Sequence, residues 1–169
     1  MAITHADSLI NYLVDRKSFA LGYPLQALTL VQKTDYVLTS CLGNTLKLIA
    51  IIDTDRNPNK RALFSMQALK TLKSTLKQFS YDAYSKRQSV SIEVWYVGNH
   101  APSILKEPSV QAMKVTSHQF WLSAWAINLE KNKVLCNSFS LRNILKQRTL
   151  TKVLKQQSDL NKALFSAAL

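Results

Sequence analysis

"YVLTSCLGNTLKLIAIIDTDRNPNK", residues 36 to 60, decides the fold. Two apolar runs flank Gly43 and Asn44, a pair that tolerates positive φ and so closes tight hairpins. The pattern predicts strand, turn, strand. Asp53, Asp55, Asn57 and Asn59 follow, residues that hydrogen-bond their own backbone in turns, and Pro58 fixes φ among them. Asn57 or Asn59 can then cap a helix beginning near Lys60. That helix is expected over "RALFSMQALKTLKSTLKQF", where Ala62, Leu69, Leu72 and Leu76 share one face and β-branched residues are few.

Upstream, "THADSLINYLVDRKSF" places Leu9, Ile10, Leu13 and Val14 at helical spacing after Asp7 or Ser8, and reads as an opening helix. Downstream, "SVSIEVWYVG" alternates Val90, Ile92, Val94 and Tyr96 with Ser91, Glu93, Trp95 and Val97, as a strand does. "NHAPSILKEP" reads as a loop, "SVQAMKVTSHQF" as a short helix, and "FWLSAWAINLEKNKVLCNSF" as a second hairpin turning at "KNK". In "SLRNILKQRTLTKVLKQQ" the apolar residues change face between Leu145 and Leu150 on a 3.6-residue wheel, which predicts a break with Thr149 capping a second helix. Ser158 is a further cap candidate before "DLNKALFSAAL". The order is thus approximately α-β-β-α-β-(α)-β-β-α-α. It implies an α+β (or α/β) single domain over residues 1–169, a mixed, largely antiparallel sheet packed by helices, and a basic helical C-terminal segment from about 140 to 169.

With 3 Gly in 169 residues, glycine-rich phosphate loops have nothing to be built from. The 2 cysteines, Cys41 and Cys136, are far apart and lack metal-ligand spacing, so buried thiols are expected. Apolar runs such as "LIAII" are too short to span a membrane, and the N-terminus lacks a leader pattern; an intracellular, cytoplasmic location is expected.

Charge is the strongest signal. The chain carries 22 Lys and Arg against 10 Asp and Glu, net +12. Lys60, Arg61, Lys70, Lys73 and Lys77 run from 60 to 81 without an acid, and Lys131, Lys133, Arg142, Lys146, Arg148, Lys152 and Lys155 run from 131 to 158 without one. Those twelve equal the whole excess. Ordinary solvated helices mix signs so that i, i+4 pairs add support; these do not. Phosphate contacts need such unneutralised cations beside hydroxyl and amide donors. The expectation is a non-enzymatic binding module contacting nucleic-acid phosphates through Lys60, Arg61, Lys70, Lys73, Lys77, Arg142, Lys146, Arg148, Lys152 and Lys155. The alternative is a subunit or adaptor of a larger complex, docking on an acidic protein surface or an anionic membrane. No cofactor is implied.

A third reading centres on Asp53, Asp55 and Glu93 as metal ligands of a phosphoesterase or nuclease. "IIDTD" resembles the nucleophile motif of haloacid-dehalogenase-type phosphatases, in which the first Asp attacks phosphorus. The acidic pair that such enzymes carry downstream is absent. Asp53 with Glu93 also resembles the restriction-endonuclease-like core, but Trp95 stands where that family has lysine. "DTDRNPNK" is similar to the first half of a calcium loop, with Pro58 in place of the turn glycine. The turn reading therefore leads. His5, His100 and His118 are isolated, and a solvated or structural role is expected for each. Glu93 is expected to be an exposed cross-strand charge.

Overall fold

The computed structural model describes residues 34–42, 44–64 and 89–166, together with 6, 7, 9, 10, 20, 21, 66, 67, 70, 71 and 74. Its strands are β1 (Ala20–Leu21), β2 (Tyr36–Leu42), β3 (Thr45–Asp53), β4 (Ser89–Val97), β5 (Val115–Thr116), β6 (Phe120–Asn128) and β7 (Lys133–Cys136). Two four-residue helices, α1 (Ala101–Ile104) and α2 (Pro108–Gln111), join β4 to β5, and α3 (Leu141–Ser166) follows β7. The class is α+β, as the hairpin-then-helix pattern implies.

The strands form one mixed sheet in the order β1-β2-β3-β4-β6-β5, with β7 also on β6. β2 and β3 pair antiparallel down to Leu42 opposite Thr45, the tight hairpin expected at Gly43-Asn44. β6 and β7 form the second hairpin, closing at Asn128 opposite Lys133. Asn132 takes φ +47 in its turn, a left-handed conformation that asparagine tolerates. Most pairings are antiparallel, but the centre, β3-β4-β6, is parallel. Parallel neighbours need crossovers, which here occupy residues 54–88 and 98–119.

Burying both faces of a parallel centre requires side chains suited to two cores, and all nine residues of β4 are buried. On one face, Leu48, Ile92 and Leu122 pack with Ala62, Phe64, Met66 and residues of α1 and α2. On the other, Ile51, Trp95 and Trp125 pack with Ala6, Leu9, Ile10 and with Leu150 and Leu154 of α3. The opening helix is represented by helical residues 6, 7, 9 and 10. Asn137 fastens β6 to the first layer. It exchanges hydrogen bonds with Ala124, accepting from its N–H at 2.9 Å through Oδ1, and donates Nδ2 to the carbonyls of Val110 and Met113.

Three expectations are corrected. The helix expected from Arg61 begins later: residues 60–64 are not helical, because Ala62 and Phe64 are used as buried core on either side of exposed Leu63. α3 is one continuous helix of 26 residues, without a break at Thr149 or Ser158. The Thr149 hydroxyl donates to the Leu145 carbonyl one turn back, a bond that keeps threonine inside a helix. The apolar change of face is real, but its first part, Leu141 and Leu145, stays in solvent. Third, Glu93 is buried.

Candidate functional site

The face beneath α3 changes character along its strands. Register aligns Lys47, Ser91 and Trp121 in one row, Ile49, Glu93 and Ser123 in the next, and Ile51, Trp95 and Trp125 in the third. Polar and charged side chains, with the partly exposed Trp121, thus occupy one end of this face, and the buried Trp95 and Trp125 the other.

Glu93 organises the polar end. Its Oε1 lies 3.2 Å from Lys47 Nζ, while Oε2 accepts from Trp95 Nε1 at 2.9 Å and from Lys146 Nζ on α3. The Lys146 ammonium also sits over the rings of Trp95 and Trp125, at 5.3 and 5.2 Å from their centroids, where the π-faces attract it. Burial opposes Glu93 ionisation, but Lys146 and Lys47 outweigh it and hold the carboxyl below its ordinary value. Lys146 moves the other way. Burial and the neighbouring Lys47 lower its affinity for a proton, and Glu93, shared between two ammonium groups, does not make up the loss.

Beside this trio opens a cleft of about 200 Å³ between β4, β5, β6 and the start of α3. Ser91, Glu93, Trp121 and Ser123 contribute from the sheet, with Ser138, Ser140, Arg142 and Asn143 across from them. The Arg142 guanidinium lies 5.8 Å from the Trp121 ring centroid. Ser140 Oγ accepts from the Asn143 N–H at 3.2 Å, capping α3.

The outer face of α3 is unlike a solvated helix. Phe139, just before it, is 93% exposed, Leu141 74% and Leu145 54%. Arg148, Lys152 and Lys155 continue the same face at helical spacing, all exposed, while Leu150 and Leu154 turn inward.

The ten cations expected to form a binding surface are therefore divided. Lys60 donates to Asp35 Oδ1 at 2.6 Å, and Arg61 makes a two-bond contact with Glu107 at 2.8 and 2.6 Å. Lys146 is held by Glu93. Lys70, Arg142, Arg148, Lys152 and Lys155 are exposed, and Lys73 and Lys77 lie outside the described residues. The first basic segment enters on the Leu48–Ile92 face through Ala62, Phe64 and Met66, whereas α3 covers the opposite face. Among the described residues, the start of the first basic segment and α3 lie on opposite faces of the sheet.

Asp53 and Asp55 occupy the strand-to-turn junction in turn roles. Asp53 Oδ1 accepts from the N–H groups of Asp55 and Arg56, both at 3.1 Å, and Asp55 Oδ1 accepts from Asn99 N–H at 2.9 Å. Asp53 pairs in register with Val97, four residues beyond Glu93, which separates the two acids by about 13 Å along the sheet. Among the described residues no three His, Cys, Asp or Glu side chains gather as a metal-ligand set. Gly98 completes the junction with φ +133, and a Cβ there would meet Thr54 Oγ1 at 2.5 Å. His100 and His118 are exposed. Burial pushes the Cys136 thiol up to about 11, so it is not a ready nucleophile. Trp95, Trp125 and Tyr96 are fully buried in the core.

Sequence reasoning missed the Glu93 centre. The signal was present: "SIEVWYV" is apolar on both of its faces, so a charge inside it has to be buried and paired. No protein-family model matches the chain, and no curated protein or solved structure does either.

Proposed function

We propose that the chain is a non-enzymatic docking module that attaches to an anionic membrane surface through the outer face of α3. The observation that carries this reading is the sequence of exposed side chains on that face: Phe139, Leu141 and Leu145, then Arg148, Lys152 and Lys155. Aliphatic side chains entering the headgroup boundary and cations contacting anionic lipid are the two requirements of an interfacial helix. Nucleic-acid phosphates would engage the cations but leave the leucines in water. The described start of the first basic segment lies on the opposite face of the sheet from α3, which favours a contact made by α3 alone over a shared nucleic-acid cleft. Among the described residues no helix is long and apolar enough to cross a membrane, so the contact is peripheral.

Co-sedimentation with phosphatidylcholine vesicles, with and without phosphatidylserine, tests the reading. Binding is expected with phosphatidylserine, weakened by salt. Each cation near such a surface contributes about 1 kcal/mol, so replacing Arg148, Lys152 and Lys155 by Gln should weaken binding on the order of 100-fold. Leu141→Glu with Leu145→Glu should abolish it. Absence of sedimentation with anionic vesicles, or indifference to the leucine changes, would overturn the reading. Salt-dependent RNA or DNA binding that needs the cations but not the leucines would establish the nucleic-acid function instead.

A further inference from the structure

The cleft at the head of α3 is lined by two charged groups of opposite sign, and neither is placed to select an ion. Glu93 has both oxygens engaged, Oε1 by Lys47 and Oε2 by Trp95 and Lys146, so a ligand cation would compete with two ammonium groups already in place. Arg142 is a single exposed cation, 5.8 Å from the Trp121 ring centroid. Against Glu93 it leaves the lining without surplus charge, and an anion would find no unmatched counter-charge inside.

The lining offers instead unused hydrogen-bonding capacity of both kinds. Ser91 lines the cleft while only 4% exposed, and among the described residues its hydroxyl has no hydrogen-bond partner. Ser138 Oγ and Asn143 Oδ1 are likewise without one there, although Asn143 Nδ2 donates to the Ser138 carbonyl at 3.3 Å. Ser123 Oγ accepts from Trp125 Nε1 at 2.8 Å and Ser140 Oγ from the Asn143 N–H at 3.2 Å, which leaves each hydroxyl its hydrogen to donate. An apolar occupant would strand these groups, at the cost that unmade buried hydrogen bonds carry. A planar base meets partners only around its edge, whereas these come from the sheet, from the segment before α3 and from α3 itself. An alcohol both donates and accepts, and a ring bearing one on each of several carbons matches such a lining. Trp121 adds an aromatic wall whose negative π-face suits the C–H side of that ring. The volume, about 200 Å³, is below the roughly 300–1,000 Å³ of sites for drug-sized ligands and sets the size at a single ring.

We propose that this cleft binds one neutral cyclic polyol, a monosaccharide ring, through Ser91, Ser123, Ser138 and Asn143, with Arg142 donating from α3. The ring is either a free sugar or the headgroup of an uncharged glycolipid, since Ser138 and Ser140 line the cleft while Phe139 between them is 93% exposed. The assignment does not rest on membrane docking.

The test has two arms, both on the intact chain. In the first, saturation-transfer NMR follows D-glucose, D-galactose, D-mannose and N-acetyl-D-glucosamine, with acyclic sorbitol as the control for non-specific contact. Saturable transfer to the ring protons of at least one of the four is expected, and none to sorbitol. Ser91→Ala and Arg142→Gln should each weaken binding about tenfold, the loss of one hydrogen bond, whereas replacing Arg148, Lys152 and Lys155 by Gln should leave it unchanged. Arg142 is exposed and Ser91→Ala removes a single oxygen, so both variants keep the core. In the second arm, phosphatidylcholine vesicles with and without galactosylceramide, an uncharged glycolipid, are sedimented with the chain. Retention by galactosylceramide that Ser91→Ala erases assigns the lipid headgroup; a sugar response without that retention assigns the free ring. No saturable transfer to any of the four sugars overturns the proposal, as does a response that both substitutions leave unchanged or that inorganic phosphate displaces. Failure to bind phosphatidylserine vesicles would overturn the docking reading and leave this one standing.

Discussion

On one face of the sheet Leu48, Ile92 and Leu122 lie side by side; one residue along the same strands, on the other face, the row is Ile49, Glu93 and Ser123. The first face is held by close packing with the neutral hydrogen bonds of Asn137, and carries no buried charge at this row. The second combines tryptophan packing with a buried carboxylate and two lysines. Its stability depends on each charge keeping its partner, because an orphaned buried charge costs more than a lost methyl group. Adjacent residues on one backbone therefore differ in how they fail.

The sharpest break is Glu93→Ala, which leaves Lys47 and Lys146 facing each other without a counter-ion. A loss of about 3–5 kcal/mol is expected in urea denaturation. Replacing the whole centre, with Lys47→Met, Glu93→Leu and Lys146→Met together, should instead be neutral or stabilising by up to about 4 kcal/mol, since well-packed apolar groups avoid the desolvation cost. If the triple variant is as damaged as Glu93→Ala, the centre is more than a tolerated charge cluster.

A gentler probe is pH. Glu93 has a lowered affinity for protons in the fold, so its stabilisation is present above the unfolded value of 4.5 and is lost as pH falls through its lower folded value. Lys146 also binds its proton less tightly in the fold than in the unfolded chain, where the ordinary value is 10.5. Between its folded value and 10.5 the unfolded state holds more protons, and stability rises with pH. The urea midpoint should therefore climb up to about pH 4.5, level off, and climb again from about pH 7 into alkaline solution. The triple apolar variant should lose both slopes. On the dry face, by contrast, Ile92→Val should cost only about 0.5–1.5 kcal/mol, with no change in the pH profile.

The same contrast explains what could be read without coordinates. Hairpins expected at Gly43-Asn44 and at Lys131–Lys133 rest on local turn chemistry; the first closes with Leu42 opposite Thr45, and the second turns one residue earlier than expected, with Lys133 already paired to Asn128. β4 was legible as a strand, but its burial on both faces was not inferred from alternation alone. The partners of charged residues were illegible for a physical reason: Glu93 meets lysines from β3 and α3, Lys60 meets Asp35, and Arg61 meets Glu107. Such pairs are set by tertiary packing, and a local count of charge cannot subtract them. The same is true of α3. Its change of apolar face looked like a helix break because the leucines were assumed to need burial, whereas Leu141 and Leu145 remain outside.

The outer edge of β6 has one more consequence. β5 pairs with Trp121 and Leu122, β7 with Trp125 through Asn128, and the Asn137 side chain, taking the place of a strand amide, accepts from the Ala124 N–H between them. An edge closed in three short pieces offers no continuous run of donors and acceptors for another chain to extend. On this side the sheet presents only edge strands of two and four residues, which gives another chain little backbone to pair with.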